Sequence, residues 1–237
     1  MNKMKDYTIL IDEDSLFCQV SGKGTPLLLL HGNEENHTIF TNQIAYFSKY
    51  YQVFALDSRG HGRSDHGKER LTIEKIASDV IYLLNYFQLK KVAVLGFSDG
   101  GNIGLYLASH YPEKVAELII VGANYRPEGL KKKEFIQVKL LYDYLKWAGI
   151  FSKSSQQRKE VIDLMWHQLK LDDDDLKRIT ARTLLVVGEN DVIQKSHTKK
   201  MSDLIVKSTL ITLPDTTHFL MLEKPDLFNT LVKDFLV

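Results

Sequence analysis

Ser98, Asp191 and His218 combine residue type, chain order and local context in a way that suits one chemistry, attack by a hydroxyl on a carbonyl carbon. Ser98 is the centre of Gly96-Phe97-Ser98-Asp99-Gly100, directly after the apolar run Val92-Ala93-Val94-Leu95. A Gly-x-Ser-x-Gly pentapeptide between a strand and a helix makes a turn so tight that the serine is held in a strained backbone conformation with its hydroxyl exposed. A free hydroxyl is a poor nucleophile at neutral pH and needs a base. His218 is the base, and later the acid for the leaving group; Asp191 fixes the imidazole tautomer and stabilises the imidazolium. Each has rivals. Ser98 has the type of an ordinary helix N-cap, but glycines at both required offsets and matching partners favour catalysis. Glu189 and Asp215 are near enough to replace Asp191, yet the loop pattern favours Asp191. His31 and His61 read as binding loop backbone, and His37, His66, His110, His167 and His197 as surface residues or part of a helical insertion.

The elements that position these residues follow from the pattern of apolar runs. Tyr7 to Ile11 and Ser15 to Ser21 read as a hairpin around Asp12-Glu13-Asp14. Strands are expected at 27–30, 53–56, 92–95, 118–121, 183–187 and 208–213, alternating with helices near 38–49, 72–87, 101–110, 195–205 and 225–236. Continuous apolar strands separated by helices predict a mostly parallel central sheet covered on both faces, an α/β fold with its polar loops at the carboxyl edge. Between Val121 and Thr183 the chain runs on for about sixty residues, far more than a crossover needs. That stretch reads as helices, with Phe135, Val138, Leu141 and Leu145 on one stripe and Val161, Leu164, Met165 and Leu169 on another.

On these residues the sequence resembles the α/β-hydrolase fold family, of the small esterase and lipase-like kind. Four more segments carry the resemblance. Leu27 to Leu30 followed by His31-Gly32-Asn33 is similar to the family's oxyanion loop, and Asp57-Ser58-Arg59-Gly60-His61-Gly62-Arg63-Ser64 to its loop after the fourth strand. Gly188 to Asp191 is similar to the acid loop, and His218-Phe219 through Pro225 to the turn into the last helix. The resemblance implies an α/β-hydrolase core over 1–123 and 180–237, with a small helical cap inserted at 124–179. It implies an oxyanion hole made of the backbone amides of Asn33 and Asp99. The elbow itself is similar to that of valacyclovir hydrolase-like enzymes, where the acid helps bind a substrate ammonium. Asp99 therefore has two readings, a substrate contact or a charge that complements the start of its helix. His31, Trp147 and Trp166 are further candidates for substrate contact, the tryptophans as apolar pocket wall.

The expected function is hydrolysis of a small-molecule carboxylic ester through an acyl-enzyme. Alternatives on the same scaffold are a serine-dependent carbon–carbon bond hydrolase or lyase, and a ligand-binding receptor with little turnover, since fold does not settle reaction. No metal and no organic cofactor are expected. Asp172 to Asp175 lack the spaced ligands and turn glycine of a calcium loop, and read, like Lys131 to Lys133, as solvated or helix-end charge. The chain has 237 residues, 44% hydrophobic and 26% charged, with a net charge of +1. That balance gives no electrostatic case for nucleic acid or an anionic membrane. Neither a signal peptide nor a bilayer-spanning run is expected, and the one cysteine, Cys18, reads as strand filler in a reducing cytoplasm. Oligomeric state has no signature here.

Overall fold

The computed structural model describes residues 4–237; the first three, which belong to the N-terminal stretch read above as carrying no signal peptide, lie outside the described residues. Strands β1 (Lys5–Ile11) and β2 (Asp14–Gly22) form the expected antiparallel hairpin, its turn made by Asp12 at φ 52°. The remaining strands are β3 (Pro26–Leu30), β4 (Gln52–Leu56), β5 (Val92–Phe97), β6 (Val115–Val121), β7 (Arg182–Gly188) and β8 (Ser208–Leu213). They complete an eight-stranded sheet in the order β1-β2-β4-β3-β5-β6-β7-β8, parallel from β4 through β8. Two buried clusters lie on opposite faces. Leu28, Leu30, Phe54 and Leu56 point into one, Leu27, Leu29, Val53 and Ala55 into the other, so consecutive strand residues feed alternate faces. Sequence with no polar alternation is thus what a doubly covered sheet requires, and each fully buried aliphatic side chain contributes about 1.5–3 kcal/mol.

The first cluster is closed by α2 (Ile73–Tyr86) and α3 (Asp99–His110), the second by α1 (Thr41–Phe47) and α9 (Pro225–Leu236). The helix expected near 38–49 is divided. Asn36 accepts a hydrogen bond from the Thr38 amide at 3.0 Å and starts a 3-10 turn at His37–Phe40, and α1 begins only afterwards. Helix α7 (Lys195–Leu204) crosses from β7 to β8 with Met201 in the first cluster, and α8 (Leu220–Glu223) places Leu220 and Met221 in the second.

Between β6 and β7 come α4 (Lys132–Ala148), α5 (Lys153–Leu164) and α6 (Asp173–Lys177). Phe135, Val138, Leu141 and Leu145 all fall on α4, but the second stripe is cut short: α5 stops at Leu164 and Leu169 lies beyond it. The aspartate run is a helix start. Asp172 accepts from the amides of Asp174 and Asp175 while Asp175 accepts from the Asp172 amide, which ends any need for a cation there.

Candidate active site

The order of the sheet reverses between β3 and β5, and the loops that leave these two strands meet at the carboxyl edge. Ser98 follows β5 with φ 52° and ψ −117°, a conformation that costs a non-glycine residue about 1–3 kcal/mol. Its amide donates to the Val121 carbonyl at 2.8 Å and its own carbonyl accepts from the Asn102 amide at 3.1 Å. Although Ser98 precedes α3, its hydroxyl makes no capping hydrogen bond, so the N-cap reading of the residue is not the one its side chain follows. Gly100 explains why the pentapeptide needs its last glycine: a Cβ there would stand 2.0 Å from the Leu30 carbonyl oxygen.

Asp191 and His218 come from the ends of β7 and β8. His218 Nδ1 lies 2.9 Å from Asp191 Oδ1, which also accepts from the Ile193 amide at 3.0 Å. An ionised carboxylate can only accept, so Nδ1 carries the proton and Nε2 is left unprotonated. Burial pushes the Asp191 carboxyl up, but the His218 donation and charge outweigh it and hold the group below its ordinary value. Glu189 accepts instead from the Asp215 amide at 3.1 Å, so neither sequence rival for the acid is the partner of this imidazole. Gly122, unnoticed in the sequence, backs the pair. It sits at φ 58°, and a Cβ on it would stand 2.7 Å from His218 Nδ1.

The loop after β3 approaches Ser98 from the other side. Among the described residues the amides of Asn33 and Asp99 have no protein acceptor, and both residues line the cavity that holds Ser98 and His218. His31 does not. It is 2% exposed, its Nδ1 donates to the Gly32 carbonyl at 2.8 Å and its Nε2 accepts from the Ser58 amide at 2.9 Å. His31 therefore ties two loops together, and the reading of it as a substrate contact is corrected. The Asp57 loop is held likewise: Arg59 donates to Asp79 at 2.7 Å and Ser64 Oγ to the Asp57 carbonyl at 2.5 Å.

Two carboxyls beside Ser98 behave unusually. Asp99 is buried and accepts from Asn33 Nδ2 at 2.7 Å and Asn102 Nδ2 at 3.3 Å; burial outweighs these donors and raises it to about 6. Asn33 Nδ2 also donates to the Val161 carbonyl on α5 at 2.7 Å, so one side chain joins the oxyanion loop, the elbow and the inserted helices. Glu35, which sequence patterning did not single out, accepts from the Gly32 amide at 3.1 Å and is raised to about 7, again mainly by burial.

The cavity measures about 340 Å³. Leu130, Val138, Leu141, Met165, Ile193 and Phe219 supply apolar wall, and Glu34, Glu35, Asp99 and Glu134 are its ionisable groups besides His218. Trp147 and Trp166 are not in its wall: Trp147 packs on Phe151 at the surface, and Trp166 packs between Phe135, Tyr142 and His167. The tryptophans were expected to line the pocket because of their type; smaller α4 and loop side chains do so because they face the sheet edge. Among the described residues no group of three or more His, Cys, Asp or Glu could hold a metal ion, and no helix is long and apolar enough to cross a membrane.

Comparison with known proteins agrees with this architecture. The chain is 30% identical to the serine hydrolase BPHL of Mus musculus over 79% of its own length and 70% of that protein. It is 27% identical to the AB hydrolase superfamily protein YisY of Bacillus subtilis over 98% of its length and 99% of that protein. The solved structure of Est816, an N-acyl homoserine lactone degrading enzyme, has a TM-score of 0.82 and 25% identity, covering 97% of this chain and 100% of that one. The sequence profile of the alpha/beta hydrolase fold matches residues 25–151, which contain the loop after β3, the elbow and α4. The chain belongs to the alpha/beta hydrolase fold family.

Proposed function

We propose that this hydrolase cleaves a small-molecule carboxylic ester through an acyl-enzyme on Ser98. The observation that carries the reading is His218, oriented by Asp191 at 2.9 Å and facing the same cavity as a serine whose hydroxyl is free of any capping bond. In the proposed mechanism His218 Nε2 takes the Ser98 proton as Oγ attacks the carbonyl carbon, and then protonates the departing alkoxide. Asp191 stabilises the imidazolium without itself becoming protonated. The amides of Asn33 and Asp99 receive the oxyanion, each such donor being worth about 3 kcal/mol in the transition state. Water repeats the sequence on the acyl-enzyme and releases the acid. An apolar wall of Leu, Val, Met and Ile suits an unbranched acyl group of modest length in a cavity of about 340 Å³. The descriptions of Est816 as a lactone-degrading enzyme, a lactone being a cyclic ester, and of BPHL as a serine hydrolase support this reading.

The test is turnover of a short-to-medium p-nitrophenyl ester series by the wild type and by Ser98→Ala. Loss of turnover in Ser98→Ala and His218→Ala, with a drop of about 10⁴-fold in Asp191→Asn, is expected. Retained activity in Ser98→Ala would overturn the mechanism. A wild type inactive on every ester would favour the alternatives on the same scaffold, a serine-dependent carbon–carbon bond hydrolase or lyase, or a ligand-binding receptor with little turnover.

A further inference from the structure

Helix α4 has two working faces. Glu134, Val138 and Leu141 look into the cavity, whereas the opposite side carries Ile136, Leu140, Tyr144 and Trp147 at intervals of three and four residues, one continuous row. This row is uncovered. Leu140 is 64% exposed, Trp147 62%, and the turn that follows extends it with Ile150 at 72% and Phe151 at 77%. Large apolar side chains scattered singly on a surface need no explanation, but a contiguous helical row of them does. A second row runs beside it. Lys132, Lys139 and Lys146 repeat every seven residues, which sets them roughly 100° from the centre of the apolar row. These three lysines and their neighbours Lys131, Lys133 and Lys153 are all exposed, and none has an ion-pair partner among the described residues. Asp143 is the one exposed acid within α4, in a protein whose net charge is only +1.

We infer that the outer face of α4 docks onto an anionic lipid surface, its apolar row entering the headgroup boundary and its lysines meeting the lipid charge. An exposed aromatic and aliphatic face bordered by lysine is what an interfacial helix needs. Two copies of this chain meeting through the same face would bring their lysine rows together with little acid to offset them, which disfavours self-association. Docking sets the bilayer one helix diameter from the cavity. It does not depend on the reaction proposed for Ser98, because the measurement is binding.

The experiment is co-sedimentation of the full chain with vesicles of phosphatidylcholine alone and of phosphatidylcholine mixed with phosphatidylglycerol. We expect about tenfold or stronger binding to the anionic vesicles, weakened by salt. Leu140→Ser with Ile150→Ser, and separately Lys139→Glu with Lys146→Glu, are expected to abolish it. All four positions are exposed, and a far-ultraviolet circular dichroism spectrum and a Tm like those of the wild type report that the fold survives, whatever reaction Ser98 performs. Equal or absent binding to the two vesicle types, or binding unchanged in the lysine variant, would overturn the inference. So would a wild type that sediments as a dimer and becomes a monomer on Leu140→Ser with Ile150→Ser.

Discussion

Gly122 leaves the His218 ring the room it occupies beside Asp191. Gly122→Ala puts a methyl 2.7 Å from the imidazole and forces a residue with a side chain to φ 58°. The expected result is a fall in kcat of about 10²-fold from a misplaced base, with about 1–2 kcal/mol of lost stability. A kcat within a few-fold of wild type would show that the ring is held by other contacts. Glu35 gives a second test through its pH dependence. Its carboxyl binds a proton more tightly folded, at about 7, than in a free chain, so the folded state loses stability as pH rises from about 4.5 to 7. Removing the charge in Glu35→Gln should therefore flatten the decline of Tm with pH. The gain above neutrality is about 1–2 kcal/mol after allowance for solvent screening, or roughly 2–8 °C, vanishing below about pH 4. A Glu35→Gln profile parallel to wild type would refute the shift. Neither residue was legible in the sequence, whereas Ser98, Asp191 and His218 were singled out as candidates. The nucleophile announces itself through a local rule, two glycines at fixed offsets beside a strand. Gly122 and Glu35 matter because of residues about a hundred and about sixty positions away, a relation that no local spacing records.

At the scale of elements, strands were easier to read than the helices between β6 and β7. A strand buried on both faces has to be apolar throughout, as Leu27 to Leu30 are, and its limits are sharp. Helix α4 buries little, Leu145 being its only buried residue, so its apolar periodicity records two competing faces rather than one core, whereas α5 buries Val161 to Leu164 at its end. What fastens α5 is a polar knot. Asp163, buried at the end of that helix, accepts from Arg70 at 2.6 Å, from Gln168 at 3.0 Å and from His167. Burial alone would raise this carboxyl, but the three donors together hold it below its ordinary value. Asp163→Ala leaves the buried Gln168 amide without its acceptor while the exposed Arg70 and His167 turn to water, and is expected to cost about 1–2 kcal/mol, or roughly 2–8 °C in Tm. Cap position bears on the site through Asn33, which joins Val161 to Asp99, so turnover should fall further than stability explains. An unchanged Tm would mean that apolar contacts, not this knot, secure α5.

The whole molecule is close to neutral, yet its charge is sorted by place, and the sequence total of +1 conceals this. Lysines gather along the outside of α4, while Glu34, Glu35, Asp99 and Glu134 line the cavity that holds Ser98, and among the described residues no lysine or arginine joins them in its wall. A carboxylate-bearing substrate would enter against like charges in a partly desolvated space, and an ammonium would enter with them. Asp99 and Glu35 titrate at about 6 and about 7, so the discrimination should grow as pH rises across that interval. The measurement is kcat/KM for alanyl, acetyl and hemisuccinyl esters of one alcohol, in wild type and Asp99→Ala. We expect the order cationic, neutral, anionic at about pH 7.5, compressed at about pH 5 where Asp99 and Glu35 are protonated, and compressed again by salt that screens the remaining charge. A preference that persists unchanged in Asp99→Ala assigns the discrimination to Glu35 and Glu134 and leaves Asp99 as the charge that steadies the start of α3 and the Asn33 amide. Equal kcat/KM for the three esters would show that the acidic wall is screened by water and takes no part in choosing the substrate.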